Sequence, residues 1–143
     1  MKNNKSRNGF TLIELIIVMV ILGIMAAVAV PRYLDSISNA EEAAEDAVIS
    51  AIRSGLTQYA NNSLYESGRA EWPTNPFDAL AEKPVGYSTD DSDADVDGEW
   101  TFSGGRITHQ RADNSRYAWD YDPGTQGGGD DAAIGTLGQR TAL

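Results

Sequence analysis

The chain has 143 residues, which is enough for one domain with its own core. Its 21 acidic residues outnumber its 11 basic residues and give a formal net charge of -10, so neither nucleic acid nor an anionic lipid surface is expected as its main partner. The sequence contains no cysteine, which excludes a disulfide framework, a thiolate metal site and a cysteine nucleophile.

The N-terminal region joins a short basic stretch to a long apolar block. Residues 1–9 carry three basic side chains and no acid, and residues 10–30 contain Glu14 as their only charge. The block is about as long as the ~20 residues that are needed to cross a ~30 Å hydrocarbon core. Because basic residues precede it, we expect the N-terminus in the cytoplasm and the rest of the chain outside.

Three interpretations of this block compete. A secretory signal needs small residues for cleavage, and Ala26-Ala27-Val28-Ala29 could supply them. A plain membrane anchor would hold Glu14 near the lipid headgroups. A charge inside an apolar segment is costly and usually marks a function, which favours a third interpretation, a specialised segment.

The residues around Glu14 indicate what that segment is. After the basic leader, the string Gly9-Phe10-Thr11-Leu12-Ile13-Glu14-Leu15 resembles the processing and methylation motif of type IV prepilins and type II secretion pseudopilins. The resemblance implies that a prepilin peptidase cuts after Gly9 and N-methylates Phe10. It also implies that Glu14 of one subunit pairs with the Phe10 amine of a neighbour, so that each charge offsets the desolvation cost of the other.

The apolar period continues beyond the block and predicts one helix from about residue 11 to about residue 61. Gly23 and Pro31 should kink this helix or unwind it locally, because proline removes a backbone donor and glycine weakens a turn. The second half of the helix is amphipathic. Its predicted apolar stripe contains Leu34, Ile37, Ala40, Ala44, Val48, Ala51, Ile52, Leu56 and Tyr59. Its predicted solvent face contains Glu41, Glu42, Glu45 and Asp46.

The alternation of side chains in the C-terminal region predicts three antiparallel strands, at residues 99–103, 106–111 and 116–121. Gly104-Gly105 is predicted as the first hairpin turn. The aromatic side chains of these strands alternate onto one face, which can cover the helix stripe. The predicted fold is therefore α+β, a long N-terminal helix packed against a small antiparallel sheet, as in pilins. A short helical turn is expected at residues 75–80. The Gly-rich tail from Pro123, including Gly127-Gly128-Gly129, is expected to be loop or disorder.

These elements divide the sequence into four predicted segments. Residues 1–9 form the leader and residues 10–30 the membrane-spanning and filament-core helix. Residues 31–62 continue that helix in amphipathic form, and residues 63–143 form a globular pilin-like domain.

The acidic run at residues 90–99 is a candidate metal site. It begins like an EF-hand loop, but Gly104 stands where the closing glutamate belongs and a strand follows, which argues against an EF-hand. Closely spaced carboxylates repel one another unless a cation or solvent screens them, and major pseudopilins use calcium in a C-terminal loop. A calcium site of another geometry and a solvated acidic loop both stay open. The calcium candidates are Asp91, Asp93, Asp95, Asp97 and Glu99.

The remaining chemical candidates favour structural roles. His109 is the only histidine, and no nucleophile is specified beside it, so we expect a structural or surface role and no enzymatic activity. Salt bridges to Asp113 and Asp120 explain the basic cluster of the strands more simply than DNA binding does. That cluster consists of Arg106, Arg111 and Arg116.

Together these features predict a structural subunit of a type IV pilus-like filament. A pseudopilin of a type II secretion system is the alternative, and an anchored binding domain that never polymerises is a third class. The expected partners are further pilin subunits, the prepilin peptidase, the inner-membrane assembly platform and, before assembly, the lipid bilayer. No nucleic acid is expected, nor any cofactor other than the candidate calcium. The precursor is expected in the inner membrane with its C-terminal domain outside the cytoplasm, and the mature subunit in a surface pilus or a periplasmic pseudopilus.

Overall fold

A computed structural model describes residues 9–124 and 135–143. Helix α1 (Leu12–Ser67) is followed by a 3-10 turn (Pro76–Ala79) and five short strands. The strands are β1 (Trp100–Ser103), β2 (Arg106–Gln110), β3 (Arg116–Asp122), β4 (Thr136–Leu137) and β5 (Thr141–Ala142). Contacts divide the chain into two compact units, one ending at Ala40 and one spanning Glu41–Leu143, and α1 contributes to both. A long helix with an antiparallel sheet confirms the predicted α+β class.

In the first unit, α1 carries an almost unbroken apolar surface. No side chain of residues 12–30 is buried. The helix is continuous across Gly23 and Pro31, so the expected local unwinding is absent, and a bend at these two residues stays a prediction. A helix that is apolar on all sides suits lipid or other helices rather than water.

In the second unit, α1 buries a face that is rotated from the predicted one. Its buried residues are Glu45, Ile49, Ile52, Gly55, Leu56 and Ala60. Ile52 and Leu56 confirm the prediction, but Ala44 and Ala51 are exposed. Successive side chains of a helix point in directions about 100° apart. The buried face therefore contains Glu45 in place of the predicted Ala44, and this glutamate lies in the core rather than on the expected solvent face.

Two glycines shape the second half of α1. The helix continues past its predicted end to Ser67, where Gly68 follows with a left-handed φ of 74°. Glycine has a low helix propensity, but packing requires it at position 55. A Cβ on Gly55 would lie 2.5 Å from the carbonyl oxygen of Ala79. The 3-10 turn that makes this close approach confirms the helical turn predicted at residues 75–80.

The first three strands form the predicted meander. β1 pairs with β2 and β2 with β3, both antiparallel. Gly104 and Gly105 have φ values of 58° and 79°, which a two-residue turn of this type requires and which side chains with a Cβ rarely adopt.

The C-terminal segment corrects the expectation that the whole tail is loop or disorder. β4 and β5 both pair antiparallel with the second edge of β3, where Tyr121 lies opposite Leu137 and Tyr117 opposite Ala142. The prediction for residues 125–134, which include the run of glycines, falls outside the described residues. Strands of two residues are too short to show the alternation of apolar and polar residues that predicts a strand, so the local sequence could not reveal them.

The core lies between α1 and the aromatic face of the sheet. Trp100 and Trp119 stack with ring centroids 5.7 Å apart, next to the buried face of the helix. The core cluster consists of Ile49, Ile52, Leu56, Phe77, Trp100, Ile107, Trp119 and Tyr121. The predicted packing of the aromatic face on the helix is confirmed.

Candidate assembly segment and buried ion cluster

The predicted processing residues lie immediately before α1. Gly9 and Phe10 precede the helix, and Phe10 is 91% exposed. A Cβ at Gly9 would meet no atom within 4 Å, so the described fold itself does not require glycine there. A requirement for glycine must come from a molecule that approaches this backbone closely.

Glu14 closes a capping box at the start of α1. Its Oε2 accepts hydrogen bonds from the Thr11 N–H and from the Thr11 hydroxyl, both at 2.8 Å. The Thr11 Oγ1 in turn accepts from the Glu14 N–H at 3.3 Å. These bonds satisfy donors at the helix start, but among the described residues no cation lies against the Glu14 carboxylate.

By length and composition, α1 contains a stretch that can cross a membrane. Core helices and signal sequences can pass the same test, but no part of this stretch is buried in the described structure. Its apolar surface is therefore free to contact lipid or the helices of other subunits.

The charged residue that sequence analysis misplaced is Glu45, which is fully buried. Its Oε1 accepts from Arg111 Nε at 2.7 Å and lies 2.9 Å from His109 Nδ1. Its Oε2 accepts from Arg111 Nη2 at 2.6 Å and from Arg140 Nη1 at 3.2 Å. We call Glu45, His109, Arg111 and Arg140 the buried ion cluster. It joins α1 to the end of β2 and to the segment between β4 and β5.

Opposing effects set the pKa of Glu45. Burial by itself raises it, but hydrogen bonds from Arg111 and His109 and the charges of both more than offset burial, so the pKa falls to about 2 from its ordinary 4.5. The hydrogen bond to Glu45 raises the pKa of Arg111. Both groups therefore stay charged in the folded chain at neutral pH, and each compensates the other.

We expect acid to weaken the folded second unit through Glu45. A carboxyl whose pKa is lowered by folding stabilises the fold above its unfolded pKa, so the contribution is complete above about pH 4.5 and is lost as pH falls toward 2. The shift corresponds to about 3 kcal/mol at neutral pH. Melting temperatures of a fragment lacking residues 1–30 should fall steeply over this range, and an unchanged melting temperature between pH 5 and pH 2.5 would contradict the expectation.

The structure confirms a structural role for His109 and corrects the partners of the arginines. His109 is 8% exposed and stacks on Trp100 at 4.2 Å between ring centroids. Arg111 pairs with Glu45 rather than with Asp113. One available signal was missed: His109 and Arg111 stand two residues apart, so both side chains point to the core face and need a buried acceptor.

Arg106 and the acidic run lie together on the opposite face of the sheet. Arg106 pairs with Asp93 at 3.4 Å rather than with Asp113 or Asp120, the two partners predicted for the arginine cluster. Ala94 is fully buried, and its N–H donates to Thr108 Oγ1 at 2.7 Å. The acidic run is therefore packed against the sheet rather than freely solvated along its whole length.

Three carboxylates of this run, those of Asp93, Asp97 and Glu99, have partners within the protein. Glu99 Oε2 accepts from the N–H groups of Asp95 and Val96, and the hydrogen bond from Asp95 lowers the pKa of Glu99. Asp97 accepts from Gln110 at 3.3 Å. Within residues 9–124 and 135–143, no three acidic, histidine or cysteine side chains are placed to hold a metal ion. The calcium site stays a prediction.

An exposed apolar helix that continues into an α+β body defines a pilin-like architecture. Comparison with known proteins agrees: a model of the prokaryotic N-terminal methylation motif matches residues 4–30, which include Gly9, Phe10 and Glu14. The chain is 41% identical over 100 residues to the type IV narrow pilus major component of Thermus thermophilus, covering 70% of the chain and 74% of that relative.

Two further relatives match over shorter spans. The identity is 37% over 81 residues with a type IV major pilin protein of Neisseria gonorrhoeae, covering 57% of the chain and 46% of that relative. It is 36% over 83 residues with the type II secretion system core protein G of Pseudomonas aeruginosa, covering 57% and 55%. The chain thus spans about half the length of these two relatives. No solved structure shows significant similarity to it.

The chain therefore belongs to the family of type IV pilins and type II secretion pseudopilins. This family is structural and not enzymatic, in agreement with the prediction made from the sequence.

Proposed function

We propose that the chain is the structural subunit of a type IV pilus-like filament, made as a membrane-anchored precursor. The observation that carries the choice of pilus over pseudopilus is the match to a pilus component, at 41% identity over 74% of its length, against 36% over 55% for the secretion protein. The secretion pseudopilus remains the alternative.

The exposed half of α1 supports assembly through helix packing. Lipid covers its apolar surface in the precursor, and neighbouring helices cover it in the filament, so the same surface is kept from water in both states. Cleavage after Gly9 creates a cationic amine on Phe10. That amine is the cation that the Glu14 carboxylate lacks in the described structure, and a neighbouring subunit would provide it.

The expected partners are those that the chain meets as a precursor, during cleavage and in the filament. A prepilin peptidase processes the leader, and an inner-membrane assembly platform inserts each subunit beside others of its kind. The precursor resides in the inner membrane with its second unit outside the cytoplasm, and the assembled subunit lies in a surface pilus.

An analysis of filaments sheared from the cell surface distinguishes the candidate functions. Surface filaments sheared from the native host should contain the chain with methylated Phe10 at its terminus, as determined by mass spectrometry. Deleting the gene should remove these filaments and leave protein secretion intact. Loss of a secreted protein without any surface filament would favour the pseudopilin, and an uncut chain confined to membranes would favour an anchored binding domain.

Replacing Gly9 with valine should leave a full-length precursor in the membrane. The peptidase has to bring its catalytic groups against this backbone, and a branched side chain at the cleavage point would obstruct it. Gly23→Ala is a matched control, because a Cβ at Gly23 also meets no atom within 4 Å of the described chain and this residue lies away from the cut. Normal cleavage before Phe10 in the valine variant, seen by mass spectrometry, would contradict the leader assignment.

We further propose that calcium draws the acidic run into a cation site. Binding to the folded state alone raises the melting temperature, so millimolar calcium should stabilise a fragment lacking residues 1–30. Magnesium, with its stricter octahedral geometry, should stabilise it less. A melting temperature that calcium does not change, or that calcium and magnesium raise equally, would contradict the proposal. The acidic run would then be a loop that packs on the sheet and is otherwise solvated.

A further inference from the structure

A cleft of about 500 Å³ opens on the second unit beside α1. Its mouth includes Val85, which is 96% exposed. Its apolar lining consists of Ala44, Val48, Pro84, Val85 and Trp100. Its polar side chains are Glu41, Asp97 and His109. None of these residues belongs to the assembly segment described above, so the cleft needs an explanation of its own.

Both carboxylates at the cleft use only one of their two oxygens. Glu41 Oε1 accepts from the Ala112 N–H at 3.0 Å, and Asp97 Oδ1 accepts from Gln110 Nε2 at 3.3 Å. Their second oxygens have no partner among the described residues. Because an ionised carboxylate can only accept, each is open to a donor from outside the chain.

His109 also lines the cleft, but Glu45 holds it. The Glu45 carboxylate can only accept, so the hydrogen between the two groups sits on His109 Nδ1. The two carboxylates over the apolar lining fit a group that only donates and has an aliphatic stem, which is an arginine or lysine side chain.

The chain itself offers such a side chain. Arg32 is exposed, and no hydrogen bond or ion pair to it is present in the described structure. Other cations, such as Lys83, Arg106 and Arg140, are paired with carboxylates of their own chain. Arg32 lies on the exposed part of α1, which assembly places against neighbouring copies, and the exposed Tyr33 follows it.

We propose that the cleft receives Arg32 from a second copy of the chain. The guanidinium donates to Glu41 and Asp97, while Tyr33 of the same copy covers Val85. This contact would give subunits a specific lateral register in addition to the pairing at Glu14. The inference rests on the proposed filament, because only assembly brings the two surfaces together.

A disulfide between copies tests the contact with every charged group left in place. The chain has no cysteine, so the double variant Tyr33→Cys with Val85→Cys contains the only two thiols. Mild oxidation of intact filaments should give a ladder of linked subunits on a non-reducing gel. Tyr65→Cys with Val85→Cys is the matched control, because Tyr65 is also an exposed aromatic residue of α1, and it should give no ladder. Filaments of the first variant without a ladder, or equal ladders in both, would overturn the proposal.

Charge reversal gives an independent measurement. Arg32→Glu should lower the yield of sheared filament about tenfold, equivalent to ~1.4 kcal/mol, and adding Asp97→Arg should restore most of it. Arg69→Glu is the control, since Arg69 is likewise exposed and without an ion pair in the described chain, and it should leave the yield unchanged.

The outcomes separate this inference from the proposed function. Normal filament from Arg32→Glu would overturn the cleft contact and leave the filament assignment standing. Loss that Asp97→Arg does not restore would place Arg32 against another anion, such as a lipid phosphate, and would also overturn the contact. Absence of filament from the wild-type chain would contradict the proposed function itself.

Discussion

Replacing Glu14 with alanine should abolish filament assembly while membrane insertion and leader cleavage continue. Removing a charge from the apolar helix favours insertion, and Gly9 and Phe10 are unchanged. Under the proposed pairing, assembly loses its specific attraction, because the amine of the neighbouring Phe10 then enters an apolar surrounding without a partner. Breaking a buried ion pair in this way costs about 3–5 kcal/mol, so the yield of sheared filament should fall more than about a hundredfold.

The capping box supplies the controls for this experiment. Glu14 also bonds to Thr11 in its own chain, and loss of a cap alone costs about 1 kcal/mol. Thr11→Val removes the hydroxyl and keeps the carboxylate, so it should retain most filament assembly, whereas Glu14→Gln keeps the hydrogen-bonding capacity without the charge and should not. Wild-type levels of filament from the alanine variant, in a strain with no other copy, would rule out the pairing.

Replacing Glu45 with alanine should strongly destabilise the second unit. Arg111, which is 3% exposed, would remain buried without its anion. We expect a loss of about 3–5 kcal/mol in the free energy of unfolding, measured by urea titration of a fragment lacking residues 1–30. For a domain of this size that loss corresponds to a fall of roughly 15 °C or more in melting temperature.

A neighbour on the same helix provides the comparison. Glu42 also pairs with Arg140, but its side chain is 46% exposed, so Glu42→Ala should cost about 1 kcal/mol or less. Because well-packed apolar side chains can replace a buried ion pair, Glu45→Leu with Arg111→Met should recover much of the stability lost by the single variant. A Glu45 variant as stable as the Glu42 variant would show that the buried ion cluster contributes little.

Short-range features of this chain were predictable because they depend on neighbouring residues. The hairpin at Gly104-Gly105 follows from the positive φ that glycine tolerates, and the strands around it follow from alternation of period two. The short turn at residues 75–80 follows from Asn75 as a cap with proline after it.

The sequence by itself determined the N-terminal segment, the α+β class and the family, since a long apolar block and a continuous motif need no tertiary contact to be recognised. Only the tertiary structure decided which face of α1 is buried, because nothing in the local sequence distinguishes the fully buried Glu45 from Glu42, which is half-exposed. Its partners Arg111 and Arg140 lie 66 and 95 residues away. The pairing of β4 and β5 with β3, like the packing of the acidic run on the sheet, is decided by such distant contacts, which have no local period.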